Sequence, residues 1–106
     1  MKQHAESLGT IKQILNSEAD TEDKLKEIVS LVNSNYPKCI WVGFYFIQDN
    51  TLIVGPYQGP LACQKLPNPK GVCWQTVINK KPIIVGDVNA FKDHITCDAR
   101  SKSEIA

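Results

Sequence analysis

Cys39-Ile40-Trp41-Val42-Gly43-Phe44-Tyr45-Phe46-Ile47, then Asp49-Asn50, then Thr51-Leu52-Ile53-Val54-Gly55-Pro56 is the stretch on which the fold turns. The first run is dense in β-branched and aromatic residues and too short for a surface helix, which predicts a largely buried strand. Asp49 and Asn50 both tolerate positive φ, so a tight antiparallel hairpin is the natural link to a second strand over Thr51–Val54. Gly55-Pro56 is expected to end that strand.

Upstream, Leu8, Ile11, Ile14 and Leu15 recur at three- and four-residue steps, which predicts an amphipathic helix over Gln3–Leu15. After the polar break Asn16–Ala19, Asp20 or Thr21 can cap a second helix, with Glu22 and Asp23 placing negative charge in its first turn. Leu25, Ile28, Val29, Leu31 and Val32 form its expected buried face. Asn35-Tyr36-Pro37 ends it, because proline disfavours helical geometry in the residue before it. Residues 1–36 are thus a two-helix lead-in, and residues 39–106 carry the sheet and the functional loops.

Downstream, three prolines and Gly59 break up Tyr57–Pro69 around a short strand at Ala62–Leu66. A helix is expected over Gly71–Asn79, with Val72, Thr76 and Val77, joined by Trp74, at helical offsets. Pro82–Val85 reads as another strand. Gly86–Lys102 is polar and without period, and long irregular segments in compact domains tend to carry function. Ser103–Ala106 begins an extended segment with no partner after it. This order predicts one α+β domain over residues 1–106, an antiparallel sheet flanked by helices. No repeat or low-complexity tract is present.

The chain has 106 residues, 42% of them hydrophobic and 22% charged, the composition of a folded domain and not of a disordered tail. Twelve basic against eleven acidic residues leave a formal charge of +1, without the basic stripe that nucleic acid requires. The longest apolar run falls far short of the roughly twenty residues a membrane span needs. The amino end opens into a charged helical pattern with no apolar signal core, which points to the cytoplasm.

In that compartment the four cysteines, Cys39, Cys63, Cys73 and Cys97, do not read as a disulfide framework. Buried thiols, a metal site and redox chemistry remain. Cys39 lies in an apolar strand and reads as packing. Cys97, in a polar loop between Thr96 and Asp98, is least suited to packing, so a functional reading is preferred there. Cys63, Cys73, Cys97 and His94 could supply four metal ligands, yet no Cys-x-x-Cys knuckle exists, and no metal or other cofactor is expected. His94 can equally brace its loop. Cys73 falls near a predicted helix start, where amide groups stabilise a thiolate. Trp41 and Tyr45 lie four apart in a strand, hence on one face, which suits a pocket wall and a core face equally. Lys65, Lys70, Lys80 and Lys81 read as surface residues.

Gly55-Pro56-Tyr57-Gln58-Gly59, Ala62-Cys63, Gly71-Val72-Cys73, His94-Ile95-Thr96-Cys97-Asp98 and Ser103-Glu104-Ile105, together with Trp41-Val42-Gly43-Phe44-Tyr45, resemble the free methionine-(R)-sulfoxide reductases, compact GAF-domain enzymes. The resemblance covers roughly residues 20–106. It implies a GAF-like fold and reduction of free methionine-(R)-sulfoxide with thioredoxin as reductant. Position by position, it makes Cys97 the attacking cysteine, Cys63 the resolving one and Cys73 a third of less settled role. Trp41, Tyr45 and Glu104 match substrate-pocket positions, and Cys39 has no counterpart. Family dimers make a homodimer the expected assembly. The family continues past Ser-Glu-Ile with further strands and a closing helix, so this chain is expected to lack them. Pro69 and Trp74 stand where the family commonly carries glycine. The alternative is a degenerate GAF module that binds a small ligand or senses redox state without turnover.

Overall fold

The computed structural model describes residues 2–61, 63–87 and 103–106. Its elements run α1 (Lys2–Leu15), α2 (Thr21–Asn35), β1 (Val42–Gln48), β2 (Thr51–Gln58), β3 (Lys65–Pro67), α3 (Val72–Asn79), β4 (Ile84–Val85) and β5 (Glu104–Ile105). They divide into two compact units, Met1–Tyr45 with Gly55–Pro60, and Phe46–Val54 with Leu61–Ala106.

In the first unit α1 packs on α2. Glu22 and Asp23 occupy the first turn of α2 and the helix stops at Tyr36, as the sequence predicts; Asp20 precedes it in extended geometry but makes no side-chain cap hydrogen bond. Val29 is its one fully buried residue, at 1% exposure, and its other expected core residues are half-buried. The apolar stripe read for α1 needs correction: Leu8 and Leu15 are exposed, and the buried residue is Ser7. Ser7, Ile11 and Ile14 share one face, and Leu8 and Leu15 lie about a quarter-turn away. Asn35 Nδ2 donates to Ser7 Oγ at 3.0 Å and the Tyr36 hydroxyl donates to it at 3.4 Å, so a polar contact replaces an apolar one. The Tyr36 hydroxyl also lies 3.1 Å from His4 Nδ1.

The hairpin turn belongs to the second unit. Asp49 (φ 49°) and Asn50 (φ 61°) are both left-handed, as a two-residue turn between twisted strands requires. Asn68 Nδ2 donates to Asn50 Oδ1 at 2.8 Å and braces it. Two expectations about the strands are corrected. β1 starts at Val42 rather than Cys39, and its end, with Phe46 and Ile47, is exposed, because β1 is an edge in the order β1-β2-β3. β2 does not end at Gly55-Pro56 but continues to Gln58. β3 pairs only with Thr51–Ile53, so the later part of β2 has no β3 beside it and tolerates a proline.

Leu52 and Leu66 face each other across β2 and β3 and are both buried. Val72 and Trp74 are buried on α3, and Trp74 Nε1 donates to the Leu66 carbonyl at 2.6 Å, tying the helix to β3. Trp74 is thus an anchor, at 3% exposure. Pro69 lends its carbonyl to Gln75 Nε2 at 3.0 Å. The final segment takes its partner from earlier in the chain: β5 pairs antiparallel with β4, Ile84 opposite Ile105 and Val85 opposite Glu104, in a sheet distinct from β1-β2-β3. Ile83 and Ala106 exchange backbone hydrogen bonds of 2.8 and 2.9 Å and pack against Val72 and Val85. Lys65, Lys70, Lys80 and Lys81 are exposed.

Candidate functional site

The first unit builds an aromatic stack around Trp41. The Trp41 and Tyr45 rings stack with centroids 6.0 Å apart at 27°, and Tyr57 stacks at 5.5 Å and 20°. Trp41 immediately precedes β1, Tyr45 is within it, and Tyr57 comes from the part of β2 where Gly55-Pro56 was expected to end the strand. Two glycines make room. A methyl group on Gly43 would run into Tyr57 Cβ and come within 2.6 Å of Trp41 Cη2. At Gly59 it would sit 2.5 Å from the Ile40 carbonyl and 3.0 Å from Trp41 Cα, and φ there is +128°, open only to glycine without strain. Cys39 is not strand packing: it precedes β1, and its thiol donates to the Trp41 carbonyl at 3.0 Å. Trp41 Nε1 is buried with no acceptor among the described residues.

The second unit brings Cys73 and Glu104 together. Cys73 is the second residue of α3, and Glu104 pairs opposite Val85 on β5. The helix start does not make Cys73 a thiolate. Burial pushes its thiol from 9.0 up to about 11, and the Glu104 carboxylate adds to the rise. Desolvation and a like charge outweigh the partial charge at the start of a short helix. Cys73 is therefore a protonated thiol at neutral pH. Its alkylation rate, followed by mass mapping of the Cys73 peptide, should keep climbing past pH 10. A plateau near pH 9 would contradict the assignment. The folded state holds this proton up to about 11 and the unfolded chain releases it near 9.0, so the associated stability is full below pH 9 and is lost as pH rises toward 11.

Cys63 lies between β2 and β3 and is disulfide-bonded, while Cys39 and Cys73 are free thiols. Cys97 and His94, with Thr96 and Asp98, lie outside the described residues. Among the described residues no group of three or more His, Cys, Asp and Glu side chains could hold a metal ion. No described helix is long and apolar enough to cross a membrane. The sequence reading gives Tyr57 no role, and the structure stacks it on Trp41. It lies inside the Gly55–Gly59 motif, but only the ring stacking shows what it touches.

No family model matches the chain. Protein YtsP of Bacillus subtilis is 43% identical over 96 residues, covering 83% of this chain and 59% of that protein. The free methionine-R-sulfoxide reductase of Escherichia coli is 46% identical over 65 residues, covering 61% of this chain and 39% of that enzyme. Among solved structures, the free methionine-R-sulfoxide reductase of Neisseria meningitidis in complex with its substrate superposes with a TM-score of 0.92 at 35% identity, over 99% of this chain and 65% of that one. The chain thus spans less than two thirds of the length of each of these relatives. It has the α+β fold of GAF domains and is similar in sequence and in structure to free methionine-R-sulfoxide reductases.

Proposed function

We propose that the protein reduces free methionine-(R)-sulfoxide to methionine by thiol chemistry, with Cys97 as nucleophile and Cys63 as resolving thiol. The Cys97 thiolate attacks the sulfoxide sulfur while the oxygen takes up a proton, releasing the thioether and leaving Cys97 as sulfenic acid. Cys63 condenses with it, giving a disulfide and one water. An external dithiol, thioredoxin in this reading, opens the disulfide by exchange and leaves oxidised. Glu104, in its protonated form, is assigned to the sulfoxide oxygen as hydrogen-bond or proton donor. Trp41 and Tyr45 are assigned to the apolar methyl and methylene groups. Cys73, protonated and buried, fits a relay in recycling better than a first attack. A cytoplasmic homodimer completes the proposal.

The observation that carries the reading is the likeness to a substrate-bound reductase structure along nearly the whole chain. The disulfide at Cys63 supports its resolving role. The test supplies the separate R and S epimers of free methionine sulfoxide to the reduced protein with thioredoxin, its reductase and NADPH. Methionine should form from the R epimer alone. Equal, negligible consumption of both would reject the enzyme reading and favour a GAF module that binds without turnover.

A further inference from the structure

We propose that Tyr57 is a positioning residue for ligand recognition: it fixes the Trp41 indole so that its buried Nε1–H is held ready for an acceptor oxygen of the ligand. The proposal rests on the reading above and adds to it a residue and a contact.

Every part of the device lies in the first unit. Tyr45 and Tyr57 both stack on Trp41, Tyr57 the closer and more nearly parallel at 5.5 Å and 20°. Gly43 leaves space where a side chain would meet both Tyr57 and Trp41, and Gly59 lets backbone pass within contact of Trp41. The Cys39 thiol holds the Trp41 carbonyl. Backbone, both neighbouring rings and two missing side chains therefore restrict one indole. A side chain fixed this thoroughly normally spends its polar atom, because a buried donor without a partner is costly. The second tryptophan obeys the rule, since Trp74 Nε1 donates to the Leu66 carbonyl at 2.6 Å. Trp41 Nε1 does not, being buried with no acceptor among the described residues. An unspent donor on a rigid ring is preorganised for a ligand, which gains the hydrogen bond without ordering the side chain. The acceptor chemistry is a sulfoxide or a carboxylate oxygen, and methionine sulfoxide carries both.

The test reads the two indole N–H resonances by 1H–15N NMR during titration with methionine-(R)-sulfoxide and, separately, methionine. In the wild-type protein the Trp41 resonance should move and the Trp74 resonance should stay. A shift with the sulfoxide alone assigns the acceptor to the sulfoxide oxygen, and a shift with both assigns it to the carboxylate. Tyr57→Ala should abolish the Trp41 shift and raise KM about tenfold, from the loss of one aromatic stack, with kcat changing little. Tyr57→Phe, which keeps the ring, should restore both. The Trp74 resonance reports whether each variant is folded, and Tyr57→Leu replaces Tyr57→Ala if the latter is not. An unmoved Trp41 resonance on sulfoxide binding, or an unchanged KM in folded Tyr57→Ala, overturns the proposal. If the wild-type protein binds no sulfoxide, the functional reading fails instead. Solvent exchange of the ligand-free Trp41 N–H then decides the role of Tyr57: faster exchange in Tyr57→Ala upholds positioning, and an unchanged rate refutes it.

Discussion

Cys97→Ser should abolish turnover of methionine-(R)-sulfoxide, and Cys63→Ser should allow a single turnover and then stall. A serine hydroxyl is not ionised at neutral pH and is a poor nucleophile toward sulfur, so no methionine should form in the first variant beyond the uncatalysed background. In the second the attacking thiol is intact, and one equivalent of methionine per protein should appear in a burst. The product is a sulfenic acid without its resolving partner, which dimedone should trap on the Cys97 peptide. Cys73→Ser should preserve that burst, because a thiol pushed up to about 11 carries almost no thiolate at pH 7. Its effect should fall on the thioredoxin-coupled steady state. Quench-flow measurement of methionine against time separates these cases. A burst in Cys97→Ser, or its loss in Cys73→Ser, would exchange the assigned roles.

Trp74→Ala should be the most damaging substitution for stability among the described residues. It removes a large ring at 3% exposure and the N–H donor to the Leu66 carbonyl. Truncating a buried tryptophan costs about 3–5 kcal/mol, and stranding a buried carbonyl adds about 1 kcal/mol or more. Small domains hold only about 5–15 kcal/mol in total, so this variant should unfold at far lower urea than the parent. Trp74→Phe keeps most of the ring, loses the hydrogen bond, and should cost roughly 1–3 kcal/mol. Equal urea midpoints for Trp74→Ala and the parent would show that α3 does not depend on this anchor.

What the sequence disclosed was local. Asp49-Asn50 specify the hairpin because their tolerance of positive φ is a property of the residues themselves, and both take left-handed φ in the structure. Glu22 and Asp23 marked the first turn of α2, and Tyr36-Pro37 its end, for the same reason, although Asp20 makes no side-chain cap bond. Misreadings arose where a partner distant in sequence decides. Gly55-Pro56 reads as a stop, but β2 runs through it where β3 does not flank it. The apolar stripe of α1 is genuine in period, yet α1 meets α2 through Ser7, whose hydrogen bonds to Asn35 and Tyr36 no helical pattern reports. Ser103–Ala106 was read as extended, but its pairing back onto β4 is set by a strand distant in sequence and was not read.

The candidate site divides in the same way. The four-residue spacing put Trp41 and Tyr45 on one face without deciding between a pocket wall and a core; their rings do stack, although Trp41 precedes β1. Tyr57 stood in a quoted motif without a role, since only the fold brings it against Trp41. The position of Cys73 at a helix start was legible, but its chemistry was not. Burial and the approach of Glu104 from β5 set its proton affinity, and both are properties of the folded chain.

The most direct test treats the fully reduced protein with one equivalent of methionine-(R)-sulfoxide, blocks remaining thiols by alkylation, and maps the peptides by mass without reduction. The account predicts one equivalent of methionine and a single cross-linked pair joining the Cys63 and Cys97 peptides, with Cys39 and Cys73 recovered alkylated. Four alkylated cysteines beside unconsumed sulfoxide, or a cross-link made through Cys39, would contradict it.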